Sequence, residues 1–170
     1  MKMLRAGLAV MACIAAAWLA GCAGPAPYVY RYVPGKTAVL EGVVAEAPPG
    51  APWAVRKAVM AANEIAGRPY LRGGGHGSGE AAGYDCSGAV SHVLVAAGQA
   101  PSAAPSGAFR SYGRRGRGEW ITVYARRGHV FMVIAGLRFE SGWGWQTQGP
   151  RWSMESRTTR GFSVRHPSGL

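Results

Sequence analysis

Glycine and proline interrupt this chain too often for a bundle of long helices. With 26 Gly and 11 Pro among 170 residues, the backbone is cut into short runs, which favours short strands joined by turns. Two stretches escape the pattern. Helices are expected near Trp53–Ala66 and Ser87–Ala97; in the second, Ala89, Val90, Val93, Leu94 and Ala97 form an apolar stripe that Gly98 closes. Strands are expected near Trp120–Ala125, His129–Ala135, Leu137–Ser141 and Phe162–Arg165. The length allows one domain, of α+β class.

The first two dozen residues stand apart from that domain. Met1 to Arg5 supply a short basic start, and Ala6 to Trp18 an apolar run too short to span a bilayer comfortably. This is the pattern of an export signal. It ends in Leu19-Ala20-Gly21-Cys22, which resembles the lipobox of bacterial lipoproteins and implies lipidation of Cys22. The alternative is an ordinary signal peptide with an incidental cysteine. By the same resemblance, residues 1–21 are a signal peptide and Ala23, a non-acidic residue, implies an outer-membrane anchor facing the periplasm. Residues 22–50 are expected to be a lipidated tether, and 51–170 the folded domain.

Three cysteines are present. Cys13 lies in the leader and Cys22 would carry lipid, so Cys86 has no intramolecular disulfide partner. An unpaired thiol in an oxidising compartment suggests chemistry, although a buried, inert cysteine is the alternative. Cys86 precedes the second helix in Gly83-Tyr84-Asp85-Cys86-Ser87-Gly88. Helix N-termini favour anions and offer free N–H groups to an oxyanion.

A thiol nucleophile needs a base, and four histidines are available. His129 opens the apolar run Val130 to Ala135, so it would project from the mouth of a buried strand; a structural, strand-capping histidine is the alternative. His92 lies six residues into the helix, away from the thiol. His76 sits in the Gly-rich loop 73–79 and could edge a cleft. No close ligand pair has metal-site spacing, and neither a metal nor a cofactor is expected.

Arg68-Pro69-Tyr70-Leu71-Arg72-Gly73-Gly74, Tyr84-Asp85-Cys86-Ser87-Gly88 and Gly128-His129-Val130, taken together, resemble the NlpC-type cell-wall cysteine peptidases, a papain-like family. The resemblance covers roughly Trp53 to Ser141. It implies a cysteine-bearing helix packed on a small antiparallel sheet, with Cys86 as nucleophile, His129 as base, and Tyr70, Asp85 and Ser87 at the substrate or oxyanion site. Tyr70 also suits plain core packing. The loop from Arg72 to Tyr84 is longer than the family's usual version. The third polar residue, which orients the base, is unsettled. Alignment through Phe139 places Ser141 there. Glu140 is the better orienting group, provided a bulge turns it inward, and His166 competes if the last strand lies alongside.

The resemblance further implies hydrolysis of a peptidoglycan stem amide, between D-glutamate and the diamino acid. An inactive wall-binding lipoprotein, or a cysteine acyltransferase or amidase, is the rival. The formal net charge is +11, and loss of Lys2 and Arg5 lowers it by two to +9, which attracts polyanions such as a wall polymer or membrane surface. Basic residues are not interleaved with stacking aromatics, which argues against nucleic acid. Arg114, Arg115 and Arg117 lie in a Gly-rich loop open to wall carboxylates or phospholipid headgroups. The expected partners are peptidoglycan, the membrane through its lipid and, as a further candidate, a regulatory protein. Trp143, Trp145 and Trp152 suit either a cleft wall or aromatic core packing.

Overall fold

In the computed structural model, residues 25–77, 81–142 and 148–170 are described. The leader, Cys22, Trp143 and Trp145 lie outside them. The fold is α+β, with two α-helices and antiparallel sheets among the described residues. Helix α1 spans Trp53–Ile65 and buries Val55, Ala58, Val59, Ala62 and Ile65, one stripe at helical spacing. Helix α2 spans Cys86–Ala96. Asp85 caps it by accepting the Gly88 N–H at 2.7 Å, and Gly98 follows its end. No helix among the described residues is long and apolar enough to cross a membrane.

Strands β1 (Val39–Glu41) and β2 (Val44–Glu46) form a hairpin. The main sheet contains β3 (Arg114–Arg115), β4 (Ile121–Arg126), β5 (His129–Ile134), β6 (Leu137–Glu140), β7 (Arg151–Ser153) and β8 (Ser163–His166), in the order β3-β8-β4-β5-β6-β7. All its pairings are antiparallel. Both helices pack on β5. Val130, Met132, Ile134, Leu137 and Phe139 join the helices in one core cluster, whereas Tyr124, Phe131 and Phe162 form a second. Strand alternation separates these sets onto opposite faces.

One turn fixes the register on which the site depends. Ile134 pairs with Leu137, so β5 and β6 are joined by Ala135-Gly136 alone, with φ of 44° and 76°. Both residues are left-handed, as a type I′ hairpin requires. Continued from Met132↔Phe139, the ladder sets Glu140 opposite Phe131. Glu140 therefore shares a face with Phe131 and His129, and no bulge is needed to bring it there.

Residues 25–50 are not a tether. Tyr28 is 6% exposed and exchanges two backbone bonds with Arg157, each 2.9 Å. Its hydroxyl donates to the Gly136 carbonyl and accepts from the Arg138 N–H, both at 3.1 Å. Burial pushes its phenol up to about 12, so it remains protonated. Thr37 and Ala38 are buried, and the Ala38 N–H donates to the Ala135 carbonyl at 2.8 Å. Outside the β1–β2 hairpin, the segment is held by isolated bonds rather than by a continuous ladder.

Trp152 is core packing. Its ring lies 4.9 Å from that of Phe139, and its Nε1–H donates to Asn63 at 2.8 Å. The Arg114–Arg115 part of the basic loop pairs with β8, and Arg117 donates to the Ala26 carbonyl at 2.8 Å.

Tyr28→Phe removes a hydroxyl bonded twice in the interior, and should lower stability by about 1–3 kcal/mol. Urea unfolding measures this; an unchanged midpoint and slope would return the segment to the status of a tether.

Candidate active site

Helix α2 delivers Cys86 as its first residue, 9% exposed. Asp85 occupies the Gly88 N–H, and the Ala89 N–H donates to the Asp85 carbonyl at 3.0 Å. The N–H groups of Cys86 and Ser87 belong to the first turn, where helix geometry supplies no acceptor. N–H groups at such a helix start suit an oxyanion.

His129 stands at the start of β5, 9% exposed. Its Nε2–H donates to Glu140 Oε1 at 2.6 Å, which leaves Nδ1 as the ring nitrogen for Cys86. Burial pushes the imidazolium down, but interaction with Cys86 and the hydrogen bond and negative charge of Glu140 outweigh burial and raise His129 above its ordinary 6.5. The carboxylate fixes the tautomer and stabilises the protonated ring.

Glu140 is 3% exposed and has three cationic partners. Arg157 donates to Oε1 from Nε at 3.3 Å and from Nη2 at 3.2 Å; Arg138, 1% exposed, donates to Oε2. Burial pushes the Glu140 carboxyl up, but the His129 hydrogen bond and the charges of Arg157, His129 and Arg138 hold it below 4.5. The carboxylate is ionised at neutral pH.

Tyr70 borders the same gap. A Cβ built on Gly142 would lie 3.1 Å from the Tyr70 ring and 4.0 Å from His129 Cε1. Burial raises the Tyr70 phenol, and electrostatic interaction with Cys86 and Asp85 raises it further.

The remaining candidates are placed elsewhere. The Asp85 carboxylate accepts from the Gly73 N–H at 3.0 Å, the Ser87 hydroxyl at 3.0 Å and His76 Nε2 at 3.1 Å. His76 Nε2 is also 3.2 Å from the Ser87 oxygen. Asp85 and Ser87 therefore latch the Gly-rich loop to the start of α2, and neither side chain is an oxyanion donor; a carboxylate would repel the developing charge. Gly88 makes the close approach possible, because a Cβ there would sit 1.9 Å from the Gly74 carbonyl oxygen. Ser141 faces the helices, where its hydroxyl donates to the Tyr84 carbonyl at 2.9 Å. His166 pairs with Arg114 on β8, which lies beside β4 and not β6. His92 packs edge-on against Tyr84 at 5.4 Å. A cavity of about 860 Å³ on that side of α2 reaches His76 but not Cys86 or His129, so it is separate from the thiol–imidazole pair.

Sequence reasoning missed Arg138, Arg157 and Tyr28. Arg138 carried a signal: two residues before Glu140 on a strand, it must share that residue's face. Arg157 and Tyr28 reach the site from loops and carried none. Neither family models nor curated proteins nor solved structures match this chain.

Glu140→Gln removes the counter-charge of two buried arginines and should cost about 3–5 kcal/mol. It should also lower the His129 titration midpoint, read by NMR of the imidazole. In the parent, Glu140's lowered folded pKa means that its stabilisation holds above the glutamate range and is lost as pH falls through the folded value. His129's raised value means that its stabilisation is complete below 6.5 and is lost as pH rises through the folded value. Unfolding of the parent should therefore show both limbs, and the Gln variant weaker ones, since Asp85 and Cys86 still contribute.

Proposed function

We propose that this chain is a cysteine peptidase of the cell envelope, with a papain-like fold of the NlpC type. The observation that carries the reading is the buried Glu140–His129 pair, joined at 2.6 Å, with the Cys86 side chain acting on the same imidazole. A structural histidine would need one such partner. A pair of a thiol and an oriented base is what nucleophilic attack on a carbonyl requires.

In the proposed reaction, His129 Nδ1 takes the Cys86 proton and the thiolate attacks a peptide carbonyl. The N–H groups of Cys86 and Ser87 hold the oxyanion. His129 then protonates the leaving amine, and water, activated by the same imidazole, releases the acyl group and restores the thiol. Glu140 remains ionised throughout and stabilises the imidazolium. Tyr70 lines the acyl site.

The substrate proposed is the peptidoglycan stem, cut between D-glutamate and the diamino acid. Support comes from the motifs around Tyr70, Cys86 and His129, and from a basic surface suited to an acidic wall. The proposed location is the periplasmic face of an outer membrane, through lipid on Cys22 after loss of residues 1–21.

Digestion of purified peptidoglycan, with products identified by mass, tests the reading. New stem fragments should appear with the parent and vanish with Cys86→Ala or His129→Ala. Identical products from parent and Cys86→Ala would end the proposed mechanism; no products from folded parent would favour a binding lipoprotein or another acyl substrate.

A further inference from the structure

Where the described chain begins, it is fastened to an arginine-rich corner of the sheet. Buried Thr159 donates to the Pro25 and Ala26 carbonyls at 2.8 and 2.9 Å, and Arg117 donates to Ala26 at 2.8 Å. Two residues beyond Thr159, Gly161 borders a hollow of about 430 Å³ lined by Arg110, Arg126, Arg127, Gly161 and Ser163. Three guanidinium groups and no carboxylate line it. Arg126 is held in place by its stack over Phe162, 4.9 Å from the ring centroid. Exposed Arg160 lies between Thr159 and Gly161. By contrast, Glu41, Glu46 and Glu64 belong to the β1–β2 hairpin and α1.

We propose that this arginine-lined corner is a docking surface for the phosphate headgroups of an anionic membrane. The proposal rests on the lipid-anchor reading of Cys22. Only Ala23 and Gly24 separate Cys22 from Pro25, a span of at most roughly 11 Å for an extended chain. Because Pro25 is fastened to the domain, a lipid on Cys22 brings Thr159, Arg160 and the hollow to the bilayer surface. A long tether would have left the domain free to turn; the docked segment does not. Arginine in a concave site binds phosphate through paired N–H donors, and each basic residue at an anionic surface raises partitioning about fivefold. Arg126 is also the cross-strand partner of His129, so the membrane-facing corner adjoins the catalytic strand.

The test uses the chain from residue 22 onward as Cys22→Ser, which keeps every described residue and cannot be lipidated. Sedimentation with phosphatidylcholine vesicles, with and without phosphatidylglycerol, reads binding. The parent should bind only the phosphatidylglycerol vesicles, and less as salt rises. Combined Arg110→Gln, Arg127→Gln and Arg160→Gln should weaken this roughly a hundredfold. Lys57→Gln on α1 should change it by less than the loss of one corner arginine. Binding that ignores phosphatidylglycerol, or that survives the triple change, overturns the docking surface. So does equal weakening by Lys57→Gln, since net charge alone would then explain the effect. The mass of the native protein extracted from membranes reads lipidation separately. An unmodified Cys22 beside intact vesicle binding would remove the anchor and keep the surface; a lipidated Cys22 without vesicle binding would do the reverse.

Discussion

Everything at the site depends on one buried carboxylate. Removing an ionised carboxyl from water costs several kcal/mol even after relaxation, and one ion pair rarely recovers that cost. Glu140 recovers it by sharing its two oxygens among His129, Arg157 and Arg138. The cluster then imposes demands of its own, since Arg138 and Arg157 are themselves nearly buried. Tyr28 meets part of that demand. It grips the backbone of both arginines, pairing with Arg157 and accepting from the Arg138 N–H. The segment around Tyr28 is therefore part of the framework that orients His129.

The regular elements were legible because their patterns are local. The Ser87–Ala97 helix is a period of apolar residues closed by a glycine, and it was found within one residue of Cys86–Ala96. The four expected strands likewise agree with β4, β5, β6 and β8 to within a residue or two. The short strands β1, β2, β3 and β7 went unseen, since three residues or fewer are too few for any period to stand out.

The third site residue is legible in the strand register. Alignment through Phe139 alone places Ser141 there, and chemistry favours Glu140 on condition of a bulge. Counting faces from a two-residue turn brings Glu140 inward without one. With Ile134 opposite Leu137, His129 and Glu140 fall on one face and Ser141 on the other. What no local pattern could reveal is Tyr28, which meets Arg138 across 110 positions of sequence. Its neighbours make no periodic pattern, and its burial follows from where Gly136 and Arg157 lie in space.

In the proposed mechanism the two arginines also bear on why the carboxylate does not overwhelm the base. A lone buried glutamate beside an imidazole would hold the proton strongly, and a base that never releases its proton cannot serve a second half-reaction. Here Oε1 is shared between His129 and Arg157, and Oε2 is taken by Arg138. Each guanidinium draws negative charge away from the imidazole while leaving Glu140 ionised. His129 is raised above its ordinary value, yet the carboxylate's charge is divided. The relay is set by that division of charge, and the Tyr28 clamp keeps the division in place.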